Sequence, residues 1–280
     1  VIMEQKDKDI FEQTTKFNMG IKLYMFQTGT IKTKLKFIKM NQGEEPFEIP
    51  VPWFLIKHPK GDVIIDGGMP IEAAIDKHKH WGSVVEAYDP VMKKSEWCRD
   101  QIKTVNTNPE DIKYVIQTHL HLDHSGAIGH FPNATHITQR LEYDYAFNPD
   151  WFSQPAYIRD DFDKPNIRWK FLQGRKTDFY DVHGDGVIKI IFTPGHTPGH
   201  QSVLVNLPKT GHMLFTGDAC YTEDHWCDKC LPGLVASSSD AAESVSKLRK
   251  VAKEHDATVV WGHDPISWKI WKKAPMFYYD

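Results

Sequence analysis

The chain has 280 residues, 40% hydrophobic and 25% charged, enough for a sizeable core and inconsistent with a mostly disordered polypeptide. No apolar run approaches the roughly 18 residues that a membrane helix needs, so no membrane span is expected. Lys and Arg number 34 against 37 Asp and Glu, and the net charge of -3 argues against a nucleic-acid partner.

The opening stretch, Val1 to Lys16, is charged and lacks the apolar core of a signal peptide. The cytoplasm is therefore the expected compartment, with export left open because the chain begins on valine. Residues 1–19 read as an N-terminal extension, compatible with packing on a second subunit in a homodimer. No Gly/Ser linker, low-complexity tract or repeat follows, so one domain over residues 1–280 is expected.

Short runs rich in Val and Ile predict strands at Ile21 to Gln27, Trp53 to Lys57, Asp62 to Ile65 and Tyr114 to Gln117. Further strands are predicted at Val187 to Phe192, Ser202 to Asn206, His212 to Thr216 and Thr258 to Trp261. Asn108-Pro109-Glu110 has the form of a helix start, a capping residue followed by proline. A second helix is predicted from Asp240 to about His255, with Val245, Leu248 and Val251 as its apolar stripe and Asp240 and Glu243 at capping-box spacing. Hairpin-like strand clusters mixed with strand-helix alternation suit an α/β arrangement of two packed mixed sheets with helices outside.

The 15 histidines are the unusual count, and their positions carry the chemistry. Four predicted strands end in groups able to bind metal: His119-Leu120-His121-Leu122-Asp123-His124, then Gly195-His196 with Gly199-His200, then Asp218, then His263. Imidazole and carboxylate are ligand types for zinc, and iron, cobalt and manganese also accept them. In an extended chain His119, His121 and Asp123 would point one way and His124 the other, which suits two adjacent ions better than one. Of the repeated Pro-Gly-His turns, the first places His196 directly after a strand, so His196 is the expected ligand and His200 the residue behind it.

This set, H-x-H-x-D-H followed by a distant His, Asp and His, resembles the signature of the metallo-β-lactamase superfamily. The resemblance spans about Trp53 to Asp264 and implies an αββα sandwich. It also implies two divalent metal ions, with zinc the first choice. One would be held by His119, His121 and His196 and the other by Asp123, His124 and His263, with Asp218 bridging. Asp66 matches the family's early aspartate, which braces the site. Such ions lower the pKa of bound water from about 15.7 to roughly 7 and so supply a bridging hydroxide as nucleophile.

Substrate does not follow from the superfamily. True β-lactamases of this fold typically lack the bridging aspartate, and di-iron relatives carry an acidic residue where His121 stands. A closer resemblance is to the N-acyl homoserine lactone lactonases. It rests on Val51-Pro52-Trp53, Gly67-Gly68-Met69-Pro70, Gln139-Arg140-Leu141-Glu142-Tyr143, Asp218-Ala219-Cys220-Tyr221 and Gly262-His263-Asp264. It implies metal-dependent opening of the lactone ring of a small-molecule acyl homoserine lactone, the reaction of quorum quenching. Tyr221 would donate a hydrogen bond to the carbonyl as it becomes an oxyanion, and Asp123 would relay a proton to the departing oxygen. A glyoxalase II-like thioesterase on the same site is the alternative, and a non-catalytic metal-binding protein the more distant one.

Cys227 and Cys230 have the spacing of a redox or zinc pair, but a lone CxxC is a weak signal. Cys220 is expected to pack rather than react. Tyr24-Met25-Phe26, Trp151-Phe152, and Trp268, Trp271, Met276 and Phe277 are candidates for an acyl-binding groove, with core packing the commoner role for any one.

Overall fold

A computed structural model describes residues 20–280; the predicted N-terminal extension lies outside them. A seven-stranded sheet is built from β1 (Lys22–Lys34), β2 (Pro46–Lys57), β3 (Asp62–Ile65), β4 (Asp89–Val91), β5 (Ile112–Ile116), β6 (Thr135–Gln139) and β7 (Arg168–Leu172). Its order is β4-β1-β2-β3-β5-β6-β7. A five-stranded sheet holds β8 (Tyr180–Asp181), β9 (Ile188–Phe192), β10 (Gln201–Leu207), β11 (Gly211–Phe215) and β12 (Thr258–Val260), in the order β12-β11-β10-β9-β8. Both sheets are mixed. β3, β5, β6 and β7 pair in parallel, as do β11 and β12, while the remaining pairs are antiparallel.

Side-chain alternation along the strands makes the layers. Leu23, Met25, Phe54, Ile56, Val63 and Ile65 face across to Ile188, Ile190, Val203, Val205, Met213 and Phe215, forming the core between the sheets. The alternate residues Phe26, Trp53, Leu55, Ile64 and Val115 pack on Trp97, Cys98 and Ile102 outside the larger sheet. Outside the smaller sheet, Ile191, Leu204 and Leu214 meet Leu248, Val251 and Ala252 of the helix Ser238–Glu254. Helical residues thus cover both outer faces, the expected αββα sandwich. With both faces buried, the strands read as continuous apolar runs, which is why they were visible in the sequence.

Two local expectations change. The long helix begins two residues before the predicted Asp240, because Ser237 is its cap and accepts from the Asp240 amide at 3.3 Å. Asn108-Pro109-Glu110 opens only a three-residue turn, Pro109–Asp111, since Ile112 enters β5 at once. β6 and β7, with their alternating polar residues, and the extent of β1 and β2 were not foreseen.

Topology sets the position of the site. β9 and β11 both run antiparallel to β10, so they point the same way, and β12 is parallel to β11. Parallel pairing likewise aligns β3 with β5. The loops leaving β3, β5, β9, β11 and β12 carry Asp66, His119 to His124, His196, Asp218 and His263, and these converge at one edge of the sandwich.

Candidate metal centre

All seven predicted ligand residues come together, six of them buried and Asp123 half-buried. Asp218 lies at the middle. Its Oδ2 is 3.2 Å from His196 Nε2 and 3.6 Å from His119 Nε2. Its Oδ1 is 3.1 Å from His263 Nε2 and 3.3 Å from His124 Nε2. One carboxylate thus turns an oxygen to each half of the cluster. On one side His121 Nδ1 is 3.0 Å from His196 Nε2. On the other, Asp123 approaches His124 at 3.6 Å and His263 at 3.5 Å.

The reason for this grouping differs from the expected alternation. The backbone turns after His121, whose carbonyl accepts from the His124 amide at 3.0 Å. The segment is therefore not extended through His124. Asp123 and His124 fall on the same side of Asp218, in the group with His263.

The far nitrogen of most rings is held by a named acceptor. Asp66 Oδ2 accepts from His124 Nδ1 at 2.8 Å, the Leu234 carbonyl from His196 Nδ1 at 2.9 Å, and the Pro50 carbonyl from His263 Nδ1 at 2.8 Å. Thr118 Oγ1 donates to Asp66 and accepts from His119 Nδ1 at 3.0 Å. With the Nδ1 hydrogen directed outward in these four rings, Nε2 is the nitrogen turned to the cluster, the orientation a ligand needs. Asp66 does so from a left-handed backbone (φ 64), with the Thr118 amide also donating to it at 2.7 Å. His200 stands behind the cluster, its ring 5.3 Å from that of His119. Its Nε2 accepts from the Asp218 amide at 3.0 Å and holds the turn that presents Asp218.

Charge at the cluster points the same way. Burial, and then the neighbouring imidazoles, push His119 and His121 well below the usual histidine range, so they are neutral. Burial opposes a charge on His124 as well, yet Asp218, Asp123 and Asp66 outweigh it and raise its pKa well above the usual value. The carboxylates therefore favour positive charge at this point. His119 Nε2 is buried without a hydrogen-bond partner, an arrangement that costs free energy unless something else binds it. Divalent ions meet both demands, and the donor set of imidazoles and carboxylates fits them.

The cluster forms the floor of a cavity of about 460 Å³, with Tyr221, Asp123, Asp218, His121 and His263 at the polar end. Ile31, Phe37, Ile38, Ile49, Val84 and Phe152 form apolar walls. Of the predicted groove aromatics only Phe152 lines it. Phe26 stacks on Trp53 and Trp268 packs against Phe54, both in the core. Phe37 and Tyr88 were missed because the sequence does not reveal which loops overhang the site. Cys220 is buried, as expected for packing, and Cys227 and Cys230 are free thiols. Glu142, wholly buried, accepts hydrogen bonds from Leu120 and Thr197, the neighbours of His121 and His196; in the sequence it stands out only as part of the Gln139 to Tyr143 motif.

Residues 47–263 match the family model of the metallo-beta-lactamase superfamily. The chain belongs to that superfamily. Within it, the chain is 59% identical to the N-acyl homoserine lactonase AttM of Rhizobium radiobacter, over 92% of this chain and 98% of that protein. It is 30% identical to the N-acyl homoserine lactonase AiiA of Bacillus thuringiensis subsp. kurstaki, over 87% and 93% of the two chains. The fold superimposes with a TM-score of 0.82, at 28% identity, on an N-acyl homoserine lactone hydrolase holding N-hexanoyl-L-homoserine at its catalytic metal center. That match covers 92% of this chain and 99% of the other. No helix among the described residues is long and apolar enough to cross a membrane.

Proposed function

We propose that this protein is a metal-dependent lactonase that opens the ring of N-acyl homoserine lactones, with zinc as the ion. The observation that carries this reading is the cavity itself, in which a carboxylate-imidazole cluster faces apolar walls across one chamber. A polar lactone head and an apolar acyl chain match those two ends. The relatives named above, both N-acyl homoserine lactonases, support the same substrate.

His119, His121 and His196 would hold one ion and Asp123, His124 and His263 the other, with Asp218 between them. Ions bound there would supply Lewis-acid chemistry, with water acidified to a nucleophile at neutral pH and a polarised lactone carbonyl. The chain's own groups do the rest. Tyr221 keeps its proton, because burial first and Asp218 next raise its pKa well above the usual phenol range. Its hydroxyl therefore donates to the carbonyl oxygen as negative charge develops there. Asp123, at the cavity surface, relays a proton: it takes the hydrogen that the attacking hydroxide brings and delivers it to the ring oxygen as the carbon-oxygen bond breaks, leaving a hydroxyl and a carboxylate. Asp66 and the Leu234 and Pro50 carbonyls keep the imidazoles in register.

Proton release on mixing zinc-loaded protein with a medium-chain N-acyl homoserine lactone tests the reading, with a glutathione thioester alongside. The expected result is rapid acid release from the lactone that a chelator abolishes. Hydrolysis of the thioester alone would overturn the lactonase assignment.

A further inference from the structure

Glu142 lies near the start of the helix Arg140–Phe147 and has no exposed surface. Its Oε1 accepts from the Leu120 amide and from the Tyr157 hydroxyl, each at 3.0 Å. Its Oε2 accepts from the Thr197 hydroxyl at 2.6 Å and from the Gly199 amide at 3.2 Å. Leu120 stands between His119 and His121, and Thr197 follows His196. One carboxylate thus ties together the two segments that supply the three-histidine group, although His121 and His196 are 75 residues apart in sequence.

The packing agrees. A Cβ on residue 199 would come within 2.2 Å of the Glu142 amide nitrogen, so only glycine lets that turn sit directly on the helix. The Tyr157 ring, held through its hydroxyl, meets the His121 ring edge-on with centroids 4.6 Å apart. Burying a carboxylate is costly, and an apolar side chain would fill the same space at less cost. What an apolar side chain cannot do is accept four hydrogen bonds from three separate segments.

We propose that Glu142 is the positioning residue of the three-histidine group, clamping the Leu120 and Thr197–Gly199 backbones so that His121 and His196 address a single ion. The inference rests on reading that group as a metal site. It touches no ligand nitrogen and no substrate; it acts through the segments it joins. Glu142→Gln is the diagnostic change, because shape is kept while the amide nitrogen must face a backbone N–H of Leu120 or Gly199.

The test uses zinc-loaded protein, with each ion withdrawn by a chromophoric chelator and steady-state kinetics on an acyl homoserine lactone measured in parallel. In Glu142→Gln one ion is expected to bind about 10–100-fold more weakly, as for other residues that orient metal ligands. The other ion keeps its affinity, and kcat falls with little change in KM. Leu248→Ala, a core truncation on the buried face of the helix Ser238–Glu254, should lower the melting temperature and leave both affinities alone. Wild-type affinity for both ions in Glu142→Gln, or an equal loss in Leu248→Ala, overturns the proposal. Should Glu142→Gln not fold, Thr197→Val removes one donor at nearly constant volume. A loss of the same ion there supports the clamp, and unchanged affinity overturns it. If His121→Ala holds both ions as tightly as the parent, the metal-site reading itself falls, and the clamp with it.

Discussion

The Tyr221 hydroxyl lies 3.2 Å from Nδ1 of His196, whose own hydrogen is directed to the Leu234 carbonyl at 2.9 Å. A protonated Nδ1 cannot accept, so the tyrosine hydrogen is left for the cavity, which the ring lines.

Tyr221→Phe should therefore lower kcat without reducing the metal content. Loss of one oxyanion donor costs on the order of 10²–10³-fold at a fully formed site, and tenfold or more is expected here. Metal analysis beside the kinetics decides the matter, since equal loss of metal and turnover would make Tyr221 a structural residue.

Asp66→Asn isolates the hydrogen bond that orients His124. Asparagine tolerates the left-handed backbone found at this position, so the fold should survive. The amide, with one carbonyl oxygen, cannot accept from both His124 Nδ1 and the Thr118 groups as the carboxylate does. After dialysis the variant should retain about one ion per chain where the parent retains two, consistent with a roughly 10–100-fold weaker second site. Two ions retained would count against a bracing role for Asp66.

Phe152 closes the apolar part of the cavity and is itself 38% exposed. Phe152→Ala removes apolar contact from the acyl end and none from the cluster. KM should rise more for a decanoyl than for a butanoyl substrate, with kcat little changed, because only ground-state and transition-state binding of the tail is lost. A uniform change across chain lengths would place the acyl chain elsewhere.

Acid should destabilise the metal-free protein well before its carboxylates titrate. Burial lowers His136 and His225 to about 4, so the native state resists protons that the unfolded chain accepts from about pH 6.5 downward. Between those values the unfolded state binds more protons, so stability is complete above pH 6.5 and drains away as pH falls towards 4. For His136 the full effect is about 3 kcal/mol at 1.36 kcal/mol per unit. Melting temperatures from pH 7 to 4.5 in chelator should fall steadily, and His136→Gln should flatten the slope. An unchanged slope would show that other groups govern the acid limb.

The sequence by itself determined the strands buried on both faces, the two packed sheets with helices outside, and the histidine-rich turns at the strand ends; the αββα class and the full set of seven came with the resemblance. The first three are local properties: continuous apolar runs, and ligand-type side chains directly after them. The division of those seven was implied by the resemblance, but only the tertiary structure shows its physical cause. The turn after His121 moves Asp123 to the side of His124, and the Asp218 carboxylate separates the two groups. Tertiary structure alone also supplied the acceptors behind the imidazoles: the Leu234 carbonyl, and the Pro50 carbonyl that meets His263 across 213 residues. A backbone carbonyl is present at every residue and leaves no mark in the sequence, so its role emerges only when folding brings it to a ring nitrogen. The same holds for Glu142, whose four donors become neighbours only after the two sheets have packed.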